Sequence, residues 1–499
     1  MTRAYSIVLA SGIIVAHGLA CGSDETGATG SATSTSTPDD SSTAAADSST
    51  TGTPPPVTAT VTPTSTGDTS TDDTAASGDD APKFDVGGVG DLSGNGCVGH
   101  EVDSTLSGVV FGPDGEMPVS GALVYLTPDE PVGIPQGVYC AACTELACGD
   151  DSTFTDADGT FTLQAASGKN KYLVVRKGEF MRVTPLTVAP GAAVVSGAFT
   201  TLPGANDPDN GEYIPLIAVA NGSFDRIEDA LGKFGMGDTV IGGFEQRLVP
   251  GTETFDLWDN GRDPGTDGFV SQGDFDALVS DPTALDDYHI IFVPCSGGTF
   301  NSALNNPQNV QNIRDWVAAG GRWYVSDWSN EWLQVVFPEY QNLAGWNGSF
   351  GSADNSSYDS LATVLDPPLL EWLLALPEQY LDINPLNNEF HPALDQLPQV
   401  LTVDNWSGIT DILPVLVDDG QGGMVDVGHK VWLEGPGGLP APVHPLTVTG
   451  QFGCGKLQFT SYHTAEFFNY VGLSPQELVL IYTILEIGTC QEPLPPPQG

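Results

Sequence analysis

The chain has 499 residues, enough for two or three domains each with its own core. It carries 15 Lys and Arg against 64 Asp and Glu, a formal net charge of -49, which argues against nucleic acid or an anionic lipid surface as a direct partner. Acidity on this scale suits a solubilised surface in a salty exterior.

The first element bears on compartment. Met1-Thr2-Arg3 is a short basic start, Ala4 to Ala16 is mostly apolar, and Gly18-Leu19-Ala20-Cys21 follows. This resembles a bacterial lipoprotein signal. The resemblance implies cleavage before Cys21, loss of residues 1–20, a lipid on Cys21, membrane lipid as a partner through it, and residence in the cell envelope, at the outer membrane on either face. A plain secretory signal cut after Ala20 is the alternative. No later stretch holds about 18 uninterrupted apolar residues, so the lipid would be the membrane attachment. The remainder of 21–82 is Ser, Thr, Asp, Ala, Gly and Pro, with Val57 and Val61 its large apolar side chains, and cannot bury a core. As a flexible coil this tether would average about 45 Å end to end.

From 83 to 204 the pattern turns to short alternating segments punctuated by Gly, Pro and Asp, with hairpin turns expected at Asp114-Gly115 and Asp158-Gly159. Leu106 to Val110, the PVSGA step and the TDADGTFTL hairpin resemble the carboxypeptidase regulatory-like, transthyretin-like fold. That resemblance implies a seven-stranded β-sandwich that is an accessory, without catalysis or zinc ligands. An insert, VYCAACTELAC, carries Cys140, Cys143 and Cys148, and Cys97 stands just before the first strand. Two disulfides among these four are expected, with the pairing open. The Cys-x-x-Cys spacing also allows zinc, but the irregular spacing to the other two and an oxidising compartment argue against it.

From 205 to 490 strands alternate with helices. Ile214 to Ala220 reads as a buried strand, followed by the Asn221-Gly222 turn and a helix capped by Ser223 with Ile227, Leu231 and Phe234 on one face. Thr254 to Trp258 is a second strand. In the acidic loop after it, Asp263, Asp267 and Asp274 stand at positions 1, 5 and 12 of a calcium loop, although Gly265 fills position 3 and an Asp replaces the bidentate Glu; a solvated acidic loop is the alternative. Tyr288 to Trp332 reads as a complete strand, helix, strand crossover: Ile290 to Val293, a helix from Asn306-Pro307 to Gly320-Gly321, then Arg322 to Val325. Residues 330–442 form an insertion with one amphipathic segment, LLEWLLAL. A strand pair around Gly453 to Gly455 returns to His463, and a helix opened by Ser474, Pro475 and Glu477 precedes a tail, 491–499. The expected fold class is multidomain: a β-sandwich followed by a parallel-sheet, flavodoxin-like α/β domain.

In such a sheet ligands sit at the carboxyl ends of the strands. The rule gathers Cys295-Ser296-Gly297-Gly298, Ser326-Asp327-Trp328 and His463 on one edge. It puts Cys454 and Cys490 on the other, where they are expected to pair. The strand order, the glycine pair, WVAAGGRWYVSD and GCGKLQFTSYH resemble the class I glutamine amidotransferase-like fold. The resemblance implies that Gly297 and Gly298 line an oxyanion hole and that His463 is a base partnered by Glu466. It also requires a glycine-flanked Cys nucleophile where Ser326-Asp327 stand, and a Glu two rather than three residues after the His. Those departures argue against amidotransferase activity.

Two functions follow. One is a non-catalytic binding or structural module, with a carbohydrate or peptide as ligand and Trp328, Trp332 and Trp346 either as a stacking platform or as core. The other is a hydrolase using Cys295 or Ser326 with His463. His463 to Glu466 also spells the HxxE of zinc carboxypeptidases, but no histidine follows to complete the set, so beyond the calcium option no cofactor or metal is expected.

Overall fold

The computed structural model describes residues 101–499, apart from 142, 148–149, 244, 381–393, 395, 440–441, 465–470, 491–493 and 498–499. The signal, the tether, Cys21, Cys97, Cys148 and Glu466 lie outside the described residues.

Eight strands come first: β1 (Ser104–Val109), β2 (Leu123–Thr127), β3 (Asp151–Phe154), β4 (Thr160–Ala165), β5 (Gly168–Lys177), β6 (Phe180–Val188), β7 (Gly191–Val194) and β8 (Glu212–Tyr213). They form a three-stranded sheet, β4-β1-β7, and a five-stranded sheet, β3-β2-β5-β6-β8. The alternation in β4 buries Phe161, Leu163 and Ala165, which share one apolar cluster with Leu106 of β1, Val124 and Leu126 of β2, and Leu173 and Val175 of β5. Two sheets with their inner faces in one cluster make a sandwich arrangement. It has one strand more than the expected seven, because short β8 pairs with β6.

The chain then builds a ten-stranded sheet. Its strands in chain order are β9 (Ile217–Gly222), β12 (Asp256–Asn260), β13 (Ser271–Asp274), β14 (Ile290–Val293), β15 (Arg322–Ser326), β17 (Tyr358–Val364), β18 (Gln399–Asn405), β22 (Lys430–Gly435), β23 (His444–Phe452) and β24 (Gly455–Thr460). Peripheral ribbons pair β10 (Thr239–Gly242) with β11 (Glu245–Leu248), β16 (Gln341–Leu343) with β19 (Ile409–Ile412), and β20 (Leu416–Asp418) with β21 (Met424–Asp426). The helices are α1 (Ile227–Lys233), α2 (Phe275–Ser280), α3 (Pro282–Asp286), α4 (Pro307–Ala319), α5 (Glu331–Gln334), α6 (Pro367–Ala375) and α7 (Pro475–Ile487). No helix among the described residues is long and apolar enough to cross a membrane.

The sheet order is β13-β12-β9-β14-β15-β24-β23-β22-β17-β18. From β13 to β24 every pairing is parallel. From β24 to β18 every pairing is antiparallel. The sheet is therefore mixed, a correction to the parallel-sheet expectation, and the segment 330–442 supplies β17, β18 and β22. The central strands β9, β14 and β15 are buried at every position, as strands covered on both faces must be. Helix α4 covers one face: Asn306 accepts the Gln308 N–H at 3.1 Å, Pro307 follows, and Gly320 stops it at φ 132°.

The predicted Cys454 to Cys490 disulfide does not form. Cys140 bonds to Cys454 and Cys143 to Cys490. Both partners do sit at the entry edge of the parallel strands, and the insert reaches them there. Its Val138 N–H donates to Asp286 O at 2.7 Å, and Gly137 O lies 2.7 Å from His289 Nε2. Tyr139 O packs so closely on Gly320 that a Cβ there would lie 1.9 Å away, so α4 must end on glycine.

Candidate functional site

The opposite edge, where the parallel strands end, carries the chemistry. Two residues beyond β14 stands Cys295; β15 ends at Ser326, followed by Asp327; and three residues beyond β24 stands His463. Asp225, past the end of β9, anchors them. Its Oδ2 accepts the Ser326 hydroxyl at 2.6 Å and the Thr464 N–H at 2.9 Å, while Ser326 Oγ accepts the Cys295 N–H at 2.9 Å. One carboxylate thus ties together the ends of four neighbouring strands. The Ser326 proton is directed at Asp225 and not at His463, so the serine–histidine pair of a hydrolase is not formed.

Asp327 lies at the strand-to-helix bend with φ 48°. Among the described residues the other non-glycine residue with positive φ is Asp404, at 51°, whose carbonyl accepts the His463 N–H at 3.4 Å. Asp tolerates this region better than most residues, yet such backbone clusters at functional sites. Asp327 Oδ1 accepts the Trp406 N–H at 3.0 Å, and its Oδ2 lies 3.2 Å from His463 Nε2.

Cys295 Sγ, an Asp327 carboxylate oxygen and a His463 ring nitrogen all fall within 4.8 Å of one another. Cys295 and Asp327 are fully buried and His463 is 5% exposed. Burial pushes the His463 imidazole down to about 4, with Asp404 pulling the other way, so the ring is neutral at pH 7. A thiol, an imidazole and a carboxylate in this proximity suit either thiolate chemistry or metal ligation. Cys295 stays outside both described disulfides.

The remaining candidates divide. Gly297 is exposed beside Cys295, and Gly298 turns the loop at φ 74°. Trp328 packs edge-on against Phe224 and Trp406, at 6.0 and 5.4 Å between ring centres, on the rim of the site. Trp332 instead lies in the core, 4.9 Å from Phe275, and Trp346 is half-buried against the same cluster. A three-tryptophan platform is therefore absent among the described residues. Asp263 caps a short turn by accepting the Gly265 N–H at 2.9 Å, and Asp267 pairs with Arg262 at 2.8 Å. Asp274 directly precedes α2, and these three carboxylates are not gathered into a ligand group. Sequence reasoning missed Asp225 and Asp404, and took Asp327 as a mere replacement for a nucleophile.

No family model matches the chain, and no curated protein matches it. Among solved structures it is similar to the cytoplasmic protein STM3548 from Salmonella typhimurium, at 12% identity over 55% of this chain and 99% of that one, with a TM-score of 0.24. It is also similar to a ThuA-like protein from Bacteroides uniformis, at 15% identity over 44% of this chain and 78% of that one, again with a TM-score of 0.24.

Proposed function

We propose that this protein is an exported, lipid-anchored binding module: a carboxypeptidase regulatory-like sandwich joined to an amidotransferase-like α/β layer that no longer performs amide transfer. The observation that carries the reading is Asp327 at the bend after β15, where an amidotransferase needs cysteine, with its carboxylate engaged by Trp406 N–H and facing His463. The Ser326 hydroxyl is held between Asp225 and Cys295, with its proton turned to Asp225 and not to His463. A ligand such as a carbohydrate or peptide would meet this edge beside Trp328.

A second reading, a thiol hydrolase using Cys295 with His463, is favoured by the 4.8 Å grouping. The two separate on one experiment. The mature chain, Cys295→Ala and His463→Ala are assayed on amide and ester panels in the presence of chelator. Turnover that both variants abolish would replace the binding reading with the hydrolase; no turnover above buffer in the wild type removes the hydrolase. The anchor is tested by labelled palmitate in cells, where the wild type is expected to take up label and Cys21→Ala is not.

A further inference from the structure

We propose that Cys295, Asp327 and His463 together bind a divalent transition metal of the zinc class, with one coordination position left open. The three donors come from the ends of three adjacent parallel strands and converge within 4.8 Å. Ligands about 2.0–2.3 Å from a tetrahedral zinc lie roughly 3.3–3.8 Å apart. The 3.2 Å between His463 Nε2 and Asp327 Oδ2 is close to that spacing and needs only a small adjustment.

His463 supplies the independent observation. It is 5% exposed, yet neither ring nitrogen makes a hydrogen bond. Leaving a buried polar atom unmet costs about 1–3 kcal/mol. Nε2 faces a carboxylate oxygen at 3.2 Å in an orientation that forms no hydrogen bond, and a cation between the two atoms would satisfy the nitrogen. The donor set names the class of metal: a thiolate disfavours magnesium and calcium, and the mix of sulfur, nitrogen and oxygen suits zinc or cobalt. Three protein ligands leave a fourth position for water or a ligand group.

The Asp327 carboxylate has an outer-shell partner that holds it, and the backbones of Cys295 and His463 are pinned beside it. Trp406 N–H holds Asp327 Oδ1 at 3.0 Å, the Ser326 hydroxyl accepts the Cys295 N–H at 2.9 Å, and Gln476 Nε2 donates to the His463 carbonyl. Binding would release the thiol proton to solvent as the sulfur–metal bond forms. The proposal deepens the binding reading at the same edge, and it is separable from it because metal is assayed without turnover, whereas the substrate panels are run with chelator.

The probe is cobalt(II), added to the full mature chain after removal of metal by chelator. The wild type is expected to take up cobalt with a sulfur-to-metal charge-transfer band that zinc abolishes. Cys295→Ser is expected to lose the band. Asp327→Asn is expected to bind at least about tenfold more weakly, since even outer-shell partners are worth about 10- to 100-fold. An acidic surface also binds cobalt through carboxylates, so uptake without the charge-transfer band overturns the proposal. So does a band that persists in Cys295→Ser. The wild-type spectrum requires no variant to fold and decides whether sulfur is a ligand, and loss of the band in Cys295→Ser assigns that sulfur to Cys295.

Discussion

Glu331 begins α5 four residues beyond Asp327 and is 1% exposed. Burial raises its carboxyl to about 7; Asp354 adds to the rise, while the Gly351 N–H and the Asn301 amide oppose it. The folded protein therefore holds a proton here that the unfolded chain releases near 4.5. Its contribution to stability is fully present below about pH 4.5 and is lost as pH rises through about 7, a swing on the order of 3 kcal/mol. The check is urea unfolding of wild type and Glu331→Gln at pH 4.5 and 8: relative to wild type the variant should gain about that amount at the higher pH. A difference that does not change with pH would refute the linkage. At this scale the site was only partly legible. Cys295, Ser326 and His463 follow from the carboxyl-end rule, but Asp225 in NGSFDRIED reads as an ordinary acid at a helix start. Its role depends on β9, β14, β15 and β24 lying side by side in that order.

Elements whose signals are local were readable, and those built by distant partners were not. Helix α4 announces itself through Asn306, Pro307 and Gly320, and α7 through Ser474 and Glu477, whose reciprocal capping box is present. Strand β17 hides because its inward residues are Ser360, Ala362 and Val364, so burial alternates while hydropathy barely does. The cysteines pose the same problem: Cys140 lies 314 residues from Cys454, and Cys143 lies 347 from Cys490. Only the docking of the insert at the strand-entry edge selects these partners. Because each bridge closes a long loop in the unfolded chain, Cys140→Ser with Cys454→Ser is expected to lose about 2–5 kcal/mol. Urea titration measures this, and a loss under about 0.5 kcal/mol would mean that the insert's other contacts hold it unaided.

The sandwich and the ten-stranded sheet belong to one compact unit, 79–499, and a single apolar cluster runs through both, from Leu106 and Phe161 to α1 and α7. Buried charges cross between them as well. Lys177 of β5 meets Glu486 of α7 at 2.5 Å, and Glu179 meets Arg322 of β15 at 2.6 Å, every one of these side chains at most 7% exposed. Trp372 of α6 donates to Pro118 O at 2.8 Å. Removing one layer would strand these charges and expose its half of the cluster, so the two should unfold together. The nine tryptophans make this testable, because all lie between 258 and 432 and none in the sandwich. Tryptophan fluorescence therefore follows chiefly the α/β layer, with Trp372 also sensing the contact at Pro118, while hydrogen exchange of β2 and β5 follows the sandwich. Both are expected to change at the same urea concentration in the wild type. Lys177→Met leaves Glu486 buried without its cation and should lower the shared midpoint, with a loss of about 3–5 kcal/mol; Lys177→Met with Glu486→Met should recover much of it. Exchange in β2 at a urea concentration where tryptophan emission is still native would show that the layers open independently, and the crossing ion pairs would then be no more than local contacts.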